Sequence, residues 1–152
     1  MWYKKLRKIM IDYVATEETL DLRNRVLRNN AGIDKCVFPT DEIEGNFHLG
    51  KFVGDKIVSI ATFYPEDYAE KGRGGFRLRG MATDPAFSGR GLGSDLIKFA
   101  INELRSANAS YIWCHARSSA VGFYKKLGFE VISDEFEVPE IGPHFNMIKA
   151  IS

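Results

Sequence analysis

Three glycines at alternating positions, in Ser88-Gly89-Arg90-Gly91-Leu92-Gly93-Ser94, form the run whose residue types and spacing most directly suggest chemistry. Glycine has no Cβ, so the first N–H groups of a helix that follows such a run stay accessible. Those donors, together with the positive end of the helix dipole, can hold a phosphate or pyrophosphate, and Arg90 could add charge. The same spacing also serves a tight turn before a helix, and the glycines alone leave both readings open. The run lacks the Gly-Lys-Ser/Thr ending of a P-loop. Its two-residue spacings do not fit the dinucleotide fingerprint either.

The elements around this run must position it. Arg77 and Arg79 alternate with Phe76 and Leu78, which predicts a strand over Phe76 to Thr83 that reaches the glycines through Asp84-Pro85. A helix is expected from about Gly91 to Arg105, with Leu92, Leu96, Ile97, Ala100, Ile101 and Leu104 on one face. A strand at Tyr111 to His115 then leads to a short helix carrying Ala120, Phe123, Tyr124 and Leu127, which stops at Gly128. Upstream, the alternation of Ile9, Ile11 and Tyr13 predicts a first strand. Thr16 is then expected to cap a helix running to about Arg28, with Glu17 and Glu18 in its first turn and Leu20, Val26 and Leu27 on its buried side.

Asn29 to Gly45, with Pro39 in its middle, reads as a loop or short helical turn over a site. A hairpin around Gly54-Asp55 joins a strand over Phe47 to Val53 to one over Ile57 to Tyr64. Pro65 to Gly75 reads as an exposed connection, and two last strands are expected near Phe129 to Ile132 and Phe145 to Ile151. The order of elements predicts one α/β domain over residues 1–152, built on a mixed, mostly antiparallel sheet.

Composition narrows the function classes. Hydrophobic residues make up 45% and charged residues 27%, enough to bury a core. Lys plus Arg total 21 against 20 Asp plus Glu, which argues against nucleic acid as a partner. The basic run Lys4-Lys5-Leu6-Arg7-Lys8 reads as a solvated lead-in. Cys36 and Cys114 do not make a disulfide framework or a zinc site, so no metal is expected and the cytoplasm is the expected compartment. Cys114 lies in an apolar run and reads as a buried, inert thiol. No segment approaches the roughly 20 apolar residues of a membrane span.

The glycine run and its surroundings resemble the GNAT acetyltransferase superfamily, whose acetyl-CoA loop is written Gln/Arg-x-x-Gly-x-Gly/Ala after a strand and a proline. Gly91 and Gly93 fall on the glycine positions. Ala120-x-x-Phe123-Tyr124-x-x-x-Gly128-Phe129 is similar to the family's second signature, some thirty residues downstream. Ser88 departs from the usual Gln or Arg, and Arg117 stands where an Asn often precedes the second signature.

The resemblance implies a GNAT-like fold with helices on both sheet faces and splayed central strands that receive acetyl-CoA. It implies cofactor contacts from Ser88 to Ser94, main-chain pairing of the pantetheine near Met81, Ala82 and Thr83, and a possible phosphate contact from Arg117. Tyr124 matches the family tyrosine near the sulfur, and a phenol with pKa of about 10 stays protonated at neutral pH. The general base is less defined. His115 is the first candidate, with an ordinary pKa of about 6.5 that suits proton removal, and His144, Glu42 and His48 are others. Arg23, Arg77 and Arg79, with His144, are candidates for an acceptor site favouring an anionic amine. The expected activity is N-acetylation of a small-molecule or peptide amine, with homodimer formation possible. A coenzyme A-binding sensor or interaction domain is the alternative.

Overall fold

The computed structural model describes residues 9–151, and the basic run Lys4 to Lys8 lies outside them. Its eight strands are mostly antiparallel and are interleaved with helices, so the described chain is α/β as expected. Two compact units divide it: residues up to Tyr64 with Gly80–Asn102, and Pro65–Arg79 with Glu103 onward.

In the first unit, β1 (Ile9–Val14) pairs antiparallel with β2 (Phe47–Val53) in a register from Ile9↔Val53 to Val14↔His48. β2 pairs antiparallel with β3 (Lys56–Pro65) across the two-residue turn Gly54-Asp55, where Gly54 takes φ +63°. A glycine at the first turn position lets the hairpin follow the natural strand twist. Val58 to Tyr64 are all buried, the signature of a strand covered on both faces.

Helix α1 (Thr16–Leu22) continues into a π-turn over Arg23–Leu27, so the helical segment ends close to the expected place. Its start differs from the expectation. Ala15, not Thr16, occupies the cap position, and its N–H donates to Glu18 Oε2 at 2.7 Å. Thr16 lies inside the helix and its hydroxyl donates instead to Glu42 Oε1 at 2.7 Å. Leu22 buries against Ile60 and Ala82, with Val26, Leu27 and Ile57 packed around them.

Strand β4 (Gly75–Thr83) contributes its last four residues to the first unit, where the Ser59 hydroxyl reaches Thr83 Oγ1 at 2.8 Å. It is followed by α2 (Leu92–Ser106), whose Leu96, Ile97, Ala100, Ile101 and Leu104 are buried on one stripe as the spacing predicts.

In the second unit, the start of β4 pairs parallel with β5 (Tyr111–Arg117), from Gly75↔Tyr111 to Arg77↔Trp113. After β5 comes a turn of 3-10 helix (Ser118–Ala120) and then α3 (Val121–Lys126), which ends before Gly128 at φ +93°. The remaining strands are β6 (Glu130–Val131), β7 (Phe136–Val138) and β8 (Gly142–Ala150), and β8 pairs antiparallel with β5, β6 and β7. The sequence pattern missed β7, which spans only three residues.

The connection before β4 is pinned by Tyr111. Its hydroxyl accepts the Tyr68 N–H at 2.8 Å and donates to the Gly72 carbonyl at 2.8 Å, and Gly75 leaves room for the ring. A Cβ at Gly75 would lie 2.6 Å from the ring's Cζ. Gly75→Ala should therefore displace the Tyr111 ring and release both bonds. Hydrogen exchange at the Tyr68 amide is expected to speed up, while exchange in β8 stays slow.

Candidate functional site

The glycine run is built up from Asp84. Its N–H donates to the Val58 carbonyl at 2.8 Å, and its Oδ1 accepts the Ala86 N–H at 3.0 Å, capping a short turn over Pro85–Phe87. That backbone bond, with Arg25 at 3.3 Å and Lys56 at 3.6 Å from Oδ2, holds the Asp84 carboxyl below its ordinary range. The Ser88 hydroxyl folds back onto the Pro85 carbonyl at 3.0 Å.

Gly89 and Gly91 then take φ +76° and +75°, whereas Arg90 between them is not among the left-handed residues. Alternation of this kind turns successive N–H groups toward one concave side. A Cβ on either glycine would meet no atom within 4 Å, so the space beside them is open. The first backbone bond of α2 runs from the Asp95 N–H to the Gly91 carbonyl at 3.0 Å, and the amides before it are the ones a helix cannot satisfy itself. The Arg90 guanidinium lies 5.1 Å from the Phe87 ring centre and the Lys56 ammonium 5.7 Å from it. The first amides of α2 thus follow open space at the positive helix end, and Arg90 and Lys56 lie around Phe87 just before it.

The strand leading to the loop is kinked. Gly80 takes φ +66°, and a Cβ there would come within 2.9 Å of Phe38 Cε2 and 3.2 Å of Arg23 Nε. Met81 and Thr83 are half-buried, while Ala82 packs in the core.

Arg23 does not belong to an acceptor surface. It is 0% exposed, its Nη1 and Nη2 donate to Asp41 at 2.7 and 2.9 Å, and further bonds run to the Cys36 carbonyl and Thr62 Oγ1. The guanidinium also covers the Phe38 ring at 3.9 Å. Its charge is consumed inside the protein, which corrects the sequence expectation. His48 is likewise internal, with Nδ1 2.7 Å from Thr62 Oγ1 and Nε2 3.0 Å from Thr16 Oγ1. Glu42 is exposed and accepts from Thr16.

The second unit holds Tyr124 and His115. Tyr124 is buried on α3 between Phe123 and Phe129, and burial, with the neighbouring Cys114, raises its phenol well above the ordinary value. Burial also pushes the Cys114 thiol up to about 12, which leaves it inert. His115 lies on the exposed side of β5, between the edges of Trp113 and Phe136. Partial desolvation of its ring by these neighbours, with the charge of Arg77, lowers its pKa. Arg77 pairs with Glu66 at 3.3 Å and lies over the Trp113 ring at 4.8 Å. Arg79 is half-buried. His144 is buried, with Nδ1 2.8 Å from the Gly142 carbonyl, and Arg117 ends β5 half-buried. Asn146 and Tyr68, which sequence reasoning did not single out, bond to each other and Asn146 meets His115.

A family model described as acetyltransferase (GNAT) domain matches residues 39–151. The chain belongs to the GNAT acetyltransferase family. It is therefore an acyltransferase. Among its relatives, an uncharacterized N-acetyltransferase, YitI, from Bacillus subtilis (strain 168) is 37% identical over 139 residues, covering 91% of this chain and 93% of the relative. Solved structures support the fold. A putative N-acetyltransferase from Lactobacillus plantarum superposes with a TM-score of 0.79 at 18% identity, covering 95% of this chain and 99% of the other. The ribosomal-protein-S18-alanine N-acetyltransferase from Escherichia coli gives 0.77 at 19% identity over 95% and 94%. An aminoglycoside 6'-N-acetyltransferase complexed with coenzyme A gives 0.73 at 14% over 94% and 97%.

The buried Arg23–Asp41 pair of this GNAT chain ties its stability to pH. Burial pushes the Asp41 carboxyl up, but bonds from Arg23 and the Phe38 N–H, with the Arg23 charge, outweigh it, and the net shift is downward. A carboxyl held low in the folded state stabilises fully above its ordinary pKa of about 3.9, and the contribution is lost as pH falls through the folded value. Arg23→Met, which strands the buried carboxylate, should cost about 3–5 kcal/mol at pH 7. Urea unfolding at pH 7 and below pH 4 checks this, and the gap between variant and parent should narrow in acid.

Proposed function

We propose that this acetyltransferase moves the acetyl group of acetyl-CoA to a primary amine by direct attack in a ternary complex. The observation that carries the reading is the loop from Ser88 to Ser94: two left-handed glycines with open space beside them lead into the N-terminus of a 15-residue helix. The residues fit a pyrophosphate, because the donors, the dipole and the lack of side-chain obstruction coincide. The amides of Gly89, Arg90, Gly91, Leu92, Gly93 and Ser94 would hold it, with Arg90 and Arg117 adding charge. Main chain at Met81 to Thr83 would pair with the pantetheine arm, and an N–H near Met81 or Ala82 would polarise the carbonyl. Acetyl-CoA supplies an acetyl group activated as a thioester.

Tyr124 serves the departing sulfur. With its phenol held well above 10, its contribution is a hydrogen bond that stabilises the thiolate and delivers the proton as needed. His115, neutral at pH 7 because its pKa is lowered, takes the proton lost by the amine. Arg77, Arg79 and His144 remain the candidates for recognising an anionic group on the acceptor, with Arg77 shared with Glu66. The expected unit of function is one acetyltransferase domain over residues 1–152, a reading supported by the family match over residues 39–151, and the expected compartment is the cytoplasm.

Titration with acetyl-CoA, coenzyme A and inorganic pyrophosphate, followed by thiol release against a panel of amines, tests the reading. Selective acetyl-CoA binding with thiol release is expected, with intersecting initial-velocity lines. Binding with no release on any amine would overturn the transferase reading. Gly91→Val, whose side chain would enter the open space, should weaken coenzyme A binding by at least about tenfold, or about 1.4 kcal/mol. Tyr124→Phe should lower kcat about 100-fold while leaving coenzyme A affinity close to that of the parent.

A further inference from the structure

His115 and Asn146 face each other directly in the antiparallel pairing of β5 with β8, so their side chains leave the sheet on the same side. His115 Nδ1 lies 2.5 Å from Asn146 Oδ1. The other end of that amide is engaged as well: Nδ2 donates to the Tyr68 hydroxyl at 3.1 Å. The Asn146 backbone is fixed too, with its N–H donating to Ser133 Oγ at 2.8 Å and its carbonyl accepting the Ile132 N–H at 2.9 Å. Tyr68 is itself held by its N–H on the Tyr111 hydroxyl and by an edge contact with Trp113 at 5.1 Å.

An amide that spends its NH2 on Tyr68 presents only an oxygen to the imidazole. An amide oxygen accepts and never donates, so the nitrogen opposite it must carry the proton. Trp113 and Phe136 set the ring plane with edge contacts at 5.5 and 5.2 Å, and Nε2 is left with its lone pair. We propose that Asn146, clamped by Tyr68, is a positioning residue that fixes His115 as the Nδ1–H tautomer and leaves Nε2 as the proton acceptor. The role in turnover rests on the reading of His115 as the base; the tautomer itself does not. A neutral imidazole free in water prefers no fixed partner, and a base with its lone pair on the wrong nitrogen cannot take a proton from an amine at Nε2.

The charged and titratable groups that bear on the ring are Arg77 and Arg79 from β4 and His144 from β8, and all three oppose a second proton on it. A carboxylate in place of the amide would favour that second proton. Asn146→Asp keeps the shape and the acceptor, so the tautomer should persist while the His115 pKa rises by about 1 unit or more. A raised pKa makes His115 imidazolium over more of the acid range, so the acid limb of kcat/KM should move to higher pH by the same amount. Asn146→Ala frees the tautomer and should lower kcat at least about tenfold with little change in KM for acetyl-CoA.

Nitrogen-15 NMR of the His115 ring in the full chain, assigned with a His115→Gln variant, reads the tautomer and the pKa without reference to turnover. Thiol release from acetyl-CoA reads the rate. An Nδ1–H ring in the parent, a mixture of tautomers in Asn146→Ala, and an upward pKa in Asn146→Asp would uphold the assignment. A parent ring protonated on Nε2 would overturn it, because the Asn146 amide would then be turned with its NH2 toward His115. An Nδ1–H ring combined with an unchanged rate in His115→Gln would uphold the clamp and overturn the base.

Discussion

A single left-handed residue in the middle of a strand sets much of this molecule. Gly80 turns the β4 backbone at φ +66°, and without a Cβ it lets Phe38 and the Arg23 guanidinium approach the main chain. Any other residue there would be strained in its backbone and crowded by both neighbours. The segment after it carries Met81 to Thr83 and leads to Asp84 and the glycine loop. The same close approach organises the long loop before β2. Arg23 over Gly80 draws in Asp41, and Asp41 in turn holds the Phe38 N–H and the turn it begins.

Charge placement in the first unit follows one logic at two sites. Asp41 is fully withdrawn from water and is kept ionised by a two-pronged guanidinium contact. Asp84 is held instead by a backbone N–H and by two more distant cations, Arg25 and Lys56. The first arrangement fixes a fold. The second neutralises an acid directly before a loop that would otherwise be a poor host for an anion, and leaves the cations nearby.

Local spacing made the elements legible. The strand, glycine run and helix around Gly91 came from alternation and from the apolar stripe Leu96 to Leu104, because those patterns are set by neighbours in the chain. Long-range partners were not legible. Arg23 looked like a candidate for a substrate because Asp41 is eighteen residues away and nothing in the sequence ties them together. Tyr68 and Asn146, separated by seventy-eight residues, meet only through the fold. β7 escaped because three residues give too short a run for alternation to register. Thr16 was one position off as a cap, since Glu18 can cap Ala15 from within the helix.

Both cysteines are free and buried, Cys36 at 0% and Cys114 at 1% exposure. Burial pushes the Cys114 thiol up to about 12, so it stays in the unreactive thiol form at pH 7. On the proposed chemistry, every turnover sets a free coenzyme thiol loose beside the protein. A protein with a reactive surface sulfur would accumulate mixed disulfides with its own product under mild oxidation. Burial of both sulfurs gives this chain redox silence among the described residues, and alkylating reagents would then mark only molecules that have opened.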